Sequence, residues 1–248
     1  MSIKELAHNA GVSQASVTRF CRFFGLAGYP DLKLALVSEG PPAYHQQVSG
    51  DIAAGDSLGD VVSKIAQQDV QAVLDTTQVL DLVVLEEAIS ALAQSHKVDI
   101  YGVGASGLVG MDLALKLTRI KKHSSAYSDA HLGLTSAALL TSDDIAIGIS
   151  NSGQTRETLS MMEVARNAGA KSLAITNNPH SPLAGLADFT LFTAANEAVL
   201  RSGATSSRLA QLLVIDCLFV GLAQATFHTS QHAIDTTKEI LDSHTRRK

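Results

Sequence analysis

Three segments of the 248-residue chain place glycines, hydroxyls and arginines at spacings that suit chemistry. The first is Gly102-Val103-Gly104-Ala105-Ser106-Gly107, where an apolar strand pattern ends and a helical pattern begins. Glycines in such a turn let the backbone approach an anion, and the helix start supplies N–H groups without intrahelical partners. The letters match GxGxxG, but a dinucleotide site also wants an acid closing the next strand. Ser124–Tyr127 offers none, and Asp129 lies beyond its end, so no nicotinamide or other cofactor is expected. Taken alone, the turn is also compatible with a plain tight connection.

The second segment, Ile149-Ser150-Asn151-Ser152-Gly153-Gln154-Thr155-Arg156-Glu157, again leads from a strand into a helix. Ser150, Ser152 and Thr155 can aim three hydroxyls, with the amides of residues 152–155, at one oxyanion. Ser and Thr also cap helices, yet three hydroxyls at one strand end exceed what a cap needs. A phosphate cup is the favoured reading. Both loops leave the carboxyl ends of predicted parallel strands, so they can converge on one crevice.

The third segment, IKELAHNAGVSQASVTRFCR, has Ala7 at a close helix approach, Gly11 in a turn and Val17 as an apolar anchor of a second helix. Those are helix-turn-helix constraints. Ser13 is placed to cap the second helix, and Val17, Phe20, Cys21 and Phe24 are expected to face inward. Ser13, Gln14, Ser16, Thr18, Arg19 and Arg22 are then the candidate DNA-binding residues, suited to phosphates and base edges. An ordinary helical hairpin is the competing reading.

These segments need a scaffold. Residues 38–57 lose apolar periodicity in favour of Gly, Pro, Ser and Gln and read as a linker. That divides the chain into residues 1–37, the linker, and residues 58–248. Helical spacing over Leu58–Thr77 and Leu80–Gln94 predicts a helical lead-in. Strands are predicted at Val98–Val103, Ser124–Tyr127, Asp144–Ile149, Lys171–Thr176 and Phe189–Phe192. Helices are predicted at Gly107–Ile120, from the second strand through Leu139, and at Glu157–Ala168, with a helical turn near Leu183. Strands separated this way pair in parallel through right-handed crossovers, which makes the fold class α/β. Ser206–Ala225 is expected to close the domain, followed by a polar tail helix over Asp235–Ser243.

Composition bounds the function. With 46% hydrophobic and 17% charged residues, the chain has the makings of a folded core. Its net charge of −5 argues against a surface that grips nucleic acid throughout. The balance is uneven, however: Lys4, Arg19, Arg22 and Lys33 against Glu5, Asp31 and Glu39 leave residues 1–40 at +1 and the rest at −6. Cys21 and Cys217 are far apart without metal-ligand spacing, which points to a reducing, cytoplasmic setting. Gln211 and Asp216 interrupt the most apolar stretch, Leu209–Ala223, so a core helix is expected there rather than a membrane span. No export signal is evident at the start.

GVGASG and ISNSGQTRE, followed by AITNNPHSPLAGLAD and by EAVLRSGATSSR over residues 197–208, resemble a sugar isomerase (SIS) domain covering roughly residues 80–225. With SIKELAHNAGVSQASVTRFCRFFGLAGYPDLKLAL ahead of it, the whole chain resembles the RpiR family of bacterial transcriptional regulators. The resemblance implies a five-stranded parallel sheet flanked by helices, with a small all-α helix-turn-helix segment at the N-terminus. It implies that Ser106, Ser150, Ser152 and Thr155 contact the phosphate of a sugar phosphate, and that residues 197–207 close over the ring. Gly104, Asn151, Gln154, Glu197, Arg201 and Ser207 complete the candidate ligand set. The family's N-terminal domain carries further helices, so residues 1–37 are expected to be a shortened version of it.

Other residues carry weaker expectations. His131 fits a ligand-hydroxyl partner, a proton carrier or a solvent-facing helix position. Glu157 fits a first-turn acid complementing the helix dipole better than a general base. Glu197 and Arg201 can pair at helical spacing, or Arg201 can reach the ligand. His228 and His232 lack a third ligand, so no metal is expected. Asp216 reads as a satisfied buried or interface residue. The first functional hypothesis is a sugar-phosphate-responsive regulator that binds operator DNA as a homodimer or homotetramer, with no membrane partner and no catalysis. The second is an aldose–ketose sugar-phosphate isomerase using Glu157, Glu197 or His131 as base. A third is a ligand-binding remnant without DNA binding.

Overall fold

The computed structural model describes residues 2–39, 52–196 and 205–246. Three short helices open the chain. Ser2 and Glu5 cap each other's backbone amides at the start of α1 (Ile3–Asn9), at 2.7 and 3.3 Å. The chain turns at Gly11 into α2 (Gln14–Phe23), whose first turn is capped by Ser13 accepting from the Ser16 amide at 3.1 Å. A third helix, α3 (Tyr29–Glu39), follows, and Asp31 in its first turn accepts from the Ala27 amide at 2.8 Å.

Ala7, Val17, Cys21 and Tyr29 form the core of this bundle, with Ile3, Leu6, Leu26 and Leu32 against it. Burial raises the Cys21 thiol pKa above its ordinary value. α3 covers the α1–α2 pair through Tyr29 and Leu32, and carries Pro30 in its first turn, where a missing N–H is tolerated. One expectation changes here. Phe20 and Phe24 do not face inward, being 53% and 62% exposed. Val17 and Cys21 already meet Ala7 and Tyr29 along one narrow stripe; Phe20 sits at its edge and Phe24 lies past the last helical residue.

The long helix α4 (Leu58–Val79) starts from a reciprocal Ser57–Asp60 capping box. It is followed by α5 (Leu82–Gln94), which begins two residues later than the spacing predicts because Asp81 accepts from the Val83 amide at 2.9 Å. The βα alternation then runs β1 (Lys97–Tyr101), α6 (Ala105–Arg119), β2 (His123–Tyr127), α7 (Ala130–Ala137), β3 (Ile145–Ile149), α8 (Arg156–Asn167), β4 (Lys171–Thr176), α9 (Pro182–Leu186) and β5 (Phe189–Phe192). Two further helices, α10 (Ser206–Ala225) and α11 (Phe227–Arg246), complete the chain. The tail helix is thus longer than its expected polar segment.

Contacts divide the chain into two compact units, Met1–Val83 with Phe192–Leu213, and Val84–Leu191 with Val214–Lys248. In the first, α4 is tied down by the Ala194 amide donating to Thr76 Oγ1 at 3.0 Å and by Ser206 Oγ donating to Asp69 at 2.8 Å. Lys33 Nζ donates to the Val79 carbonyl at 3.0 Å, and desolvation there lowers its pKa.

The second unit holds the sheet, in order β2-β1-β3-β4-β5. β1 pairs in parallel with β2 and β3, and β3 with β4. All five residues of β3 are buried, as are residues 172–176 of β4. That follows from parallel strands covered by helices on both faces, where apolar side chains are wanted on each side. Asp216 is satisfied by Lys116 of α6, with its side chain 54% exposed rather than buried. Among the described residues α10 alone is long and apolar enough to cross a membrane, with a mean hydropathy of 1.5 over its window. Its Ala210, Val214, Ile215, Leu218 and Leu222 are buried in the fold.

Candidate functional site

Strand order fixes where the crevice lies. From β1 the chain crosses through α6 to β2 on one side, whereas β3, β4 and β5 build outward on the other. The loops after β1 and β3 therefore part from each other at the carboxyl edge, the position at which open parallel sheets bind ligands. The register sets Tyr101 of β1 beside Gly148 of β3, so the two strands end nearly level.

The loop after β1 is compressed. Gly102 is buried and passes so near the next turn that a Cβ on it would lie 2.9 Å from the Ser106 carbonyl oxygen. The strand stops at Tyr101 and the helix starts at Ala105, making exposed Gly104 the N-cap of α6. A glycine cap has no side chain to satisfy the first helical amides, and no side-chain cap bond is present. Half-buried Ser106 stands in that first turn.

The loop after β3 is held by its own hydroxyls. Ser150, 2% exposed, accepts from the Gly153 amide at 3.1 Å, and its Oγ lies 2.9 Å from Thr155 Oγ1. Thr155 is the N-cap of α8 but makes no capping bond. With its hydroxyl engaged by Ser150, a second helix start at the crevice is left without a side-chain cap. Ser152 is exposed and accepts from the Gln154 amide at 3.2 Å; Gln154 is exposed too. Asn151 is anchored through its carbonyl, which accepts from the Asn177 amide at 3.0 Å and from Thr176 Oγ1 at 3.2 Å. Its buried side-chain Oδ1 has no hydrogen-bond partner among the described residues.

Ser207 is buried in the first turn of α10, within the first unit. Glu197 and Arg201 lie outside the described residues. His131 and Glu157 are exposed on the first turns of α7 and α8. His228 and His232 are exposed on α11, and the described residues contain no group of three or more His, Cys, Asp or Glu able to hold a metal. Motif spacing did not point to Thr158, fully buried on α8 with no hydrogen-bond partner for its hydroxyl among the described residues, or to Ser181, buried beside the second loop. A hydroxyl one helical turn beyond a motif, or on another loop altogether, leaves no spacing signal.

On the helix-turn-helix, Gln14, Arg19 and Arg22 of α2 are exposed: Arg19 and Arg22 lie away from buried Val17 and Cys21, and Gln14 stands at the helix start, at the edge of that buried stripe. Ser13 is the helix cap, while Ser16 and Thr18 are half-buried. Ala15 shares the exposed side.

The SIS domain family matches residues 91–221, and the helix-turn-helix domain of the rpiR family matches residues 1–41. An uncharacterized HTH-type transcriptional regulator of Caldanaerobacter subterraneus subsp. tengcongensis is 41% identical over 241 residues, covering 97% of this chain and 85% of the relative. The uncharacterized HTH-type transcriptional regulator YbbH of Bacillus subtilis is 37% identical over 244 residues, covering 98% of this chain and 86% of its own. Among solved structures, the Vibrio vulnificus NanR protein complexed with ManNAc-6P superposes with a TM-score of 0.69 at 30% identity, covering 97% of this chain and 85% of that one. The sugar isomerase domain of an RpiR transcription factor from Sphaerobacter thermophilus shares the fold, with a TM-score of 0.66 at 21% identity over 72% of this chain and 98% of that one.

Proposed function

Because the chain belongs to the rpiR family of helix-turn-helix proteins with a SIS domain, we propose that it is a transcriptional regulator whose SIS domain binds a phosphorylated sugar. The observation that carries the reading is the pair of uncapped helix starts, α6 and α8, on adjacent strands at the crevice. Unpaired amides and the positive ends of helix dipoles suit a dianion. The phosphate would lie among Gly104, Ser106, Ser150, Ser152 and Thr155. Asn151 and Gln154 would face the ligand from the same loop, and Glu197, Arg201 and Ser207 would contribute from the segment after β5. The Vibrio neighbour, complexed with ManNAc-6P, supports a phosphosugar as the ligand class.

DNA binding falls to α2, through Ser13, Gln14, Ser16, Thr18, Arg19 and Arg22, in a domain of residues 1–37 joined by residues 38–57 to the effector domain at 58–248. Reading two half-sites about one helical turn apart calls for a homodimer or homotetramer, acting in the cytoplasm. For the effector to regulate, it must bind the DNA-competent and DNA-incompetent conformations unequally. We assign no catalytic step to the crevice, because the relatives at 41% and 37% identity carry the names of transcriptional regulators.

The test is thermal unfolding against a panel of sugar phosphates that includes N-acetylmannosamine 6-phosphate, followed by a DNA shift with and without the ligand that binds. A ligand at about 100 times its dissociation constant adds about 2.7 kcal/mol. Absence of any stabilising phosphosugar, or of salt-sensitive DNA binding, would overturn the reading. Turnover in a coupled isomerase assay that Glu197→Gln abolishes would replace it with an enzyme.

A further inference from the structure

The hydrogen bonds along α2 divide its polar residues into those already engaged and those left to read DNA. Ser13 Oγ accepts from the Ser16 amide at 3.1 Å and lies 3.0 Å from Ser16 Oγ. Ser16 Oγ in turn accepts from Arg19 Nη2 at 3.2 Å. Both serines thus serve the helix start and the placement of an arginine. Thr18 Oγ1 donates to the Gln14 carbonyl at 3.1 Å, back into its own helix, so its γ-methyl is the group it has left to offer. Gln14 has an exposed side chain with no hydrogen-bond partner among the described residues, and Ala15 beside it presents a bare methyl.

Gln14, Thr18 and Arg22 form one i, i+4, i+8 row, with Ala15 and Arg19 alongside. Recognition helices meet base edges with their N-terminal residues. Arg22, eight residues and about 12 Å further along than Gln14, lies beyond that reach. The first turn offers the Gln14 carboxamide and the Ala15 methyl, with the Thr18 methyl just past it, and holds no acid to accept from cytosine. Arg19, beside Thr18, has its guanidinium drawn to Ser16 Oγ, which leaves no arginine free at the helix start to grip guanine.

Resting on the DNA-binding reading above, we propose that α2 selects A·T pairs: the Gln14 amide pairs with the N6 and N7 edge of an adenine, and the methyls of Ala15 and Thr18 meet thymine methyls. Arg19 and Arg22 hold phosphates and carry no sequence preference. Gln14 is the specificity-determining residue.

Sequence selection from randomised duplexes by the full chain, with Gln14→Ala, Arg22→Ala, Thr18→Ser and Thr18→Val alongside it, tests this. The parent selects A·T pairs at the positions under α2. Gln14→Ala loses about tenfold or more of the preference at one base pair per half-site and keeps its salt dependence. Arg22→Ala weakens all sequences alike and lowers the salt slope by about one. Thr18→Val, which keeps a methyl, retains the neighbouring thymine preference, and Thr18→Ser, which keeps the hydroxyl, loses it. G·C pairs selected at these positions, or unchanged base preference in Gln14→Ala while DNA is still bound, overturns the inference alone. A parent that binds no duplex even at low salt overturns the DNA-binding reading and the inference with it.

Discussion

A Cβ placed on Gly153 would lie 2.1 Å from Oγ of Ser181 and 2.3 Å from its Cβ, closer than non-bonded atoms approach. Gly153 also has φ +64°, and its carbonyl accepts from the Leu183 amide at 3.2 Å. The loop after β3 is thereby pinned against the start of α9, where buried Ser181 accepts from the Ala184 amide. Gly153→Ala meets two penalties at once, a left-handed backbone for a residue with a Cβ and a collision with a buried neighbour. Together these cost about 2–5 kcal/mol. Chemical denaturation should show that loss, and phosphosugar binding should fall with it, because the Ser150–Thr155 turn shifts. Parent-like stability would mean that Ser181 yields without cost.

Ser150 and Ser152 are two residues apart but do different work. Ser150 is buried and holds the turn through Gly153 and Thr155, whereas exposed Ser152 hydrogen-bonds, among the described residues, to the Gln154 amide alone. Ser150→Ala should lower stability by about 1 kcal/mol and weaken ligand binding. Ser152→Ala should leave the apo melting curve within about 0.5 kcal/mol of the parent while reducing the shift produced by a bound sugar phosphate. A Ser152→Ala protein that responds to ligand like the parent removes that hydroxyl from the site.

Inside the sheet, Asp99 is fully buried with Lys97 Nζ 3.1 Å from Oδ1 and the Tyr101 hydroxyl donating to Oδ2 at 3.2 Å. Oδ1 has the charge contact but no aligned hydrogen bond. Lys97→Met strands a carboxylate in a low-dielectric interior and should cost about 2–4 kcal/mol. That is below the range for a fully enclosed pair, because the Lys97 side chain keeps 28% exposure. Adding Asp99→Leu should recover most of the loss, since removing both charges also removes the desolvation penalty. A double variant as unstable as Lys97→Met would mean that packing, rather than stranded charge, sets the cost.

Much of this architecture was legible in the residues. Asp144–Ile149 and Lys171–Thr176 read as parallel strands because short, mostly apolar runs alternate with helical segments, and a strand covered on both faces wants apolar side chains on each. The hydroxyl-held loop after β3 was legible for a related reason: Ser150, Ser152 and Thr155 are neighbours in sequence, so a local turn suffices to gather them. Ser181 was not, because its approach to Gly153 depends on how α9 returns after β4. Phe20 was misread because a hydrophobic type at roughly helical spacing does not say where a small core ends. That Asp216 is satisfied was legible from a polar residue in an apolar helix, but its partner, Lys116 of α6, was not, because it comes from a distant part of the chain.

Tyr101 gives the fold a pH dependence of definite sign. Its phenol pKa is pushed well above the ordinary 10.0, first by burial, then by the negative charge of Asp99 and the hydrogen bond to it, with a smaller contribution from Tyr127. In alkali the unfolded chain releases this proton at the ordinary value while the folded chain holds it. The native state then binds more protons, and stability falls as pH rises beyond that value. Below it the contribution is fully present. Lys33 and Lys122 act in the opposite sense, because desolvation lowers both pKa values and the folded chain sheds those protons first. The comparison that isolates Tyr101 is therefore parent against Tyr101→Phe, by urea denaturation from about pH 8 to about pH 11.5, spanning the unperturbed phenol value. At the neutral end the variant should be less stable by about 1.5–3 kcal/mol, the worth of a hydrogen bond to a charged acceptor. Toward the alkaline end the gap should narrow, as the parent alone loses the Tyr101 contribution. A gap constant across the range would show that the Tyr101 hydroxyl titrates alike in the folded and unfolded chain.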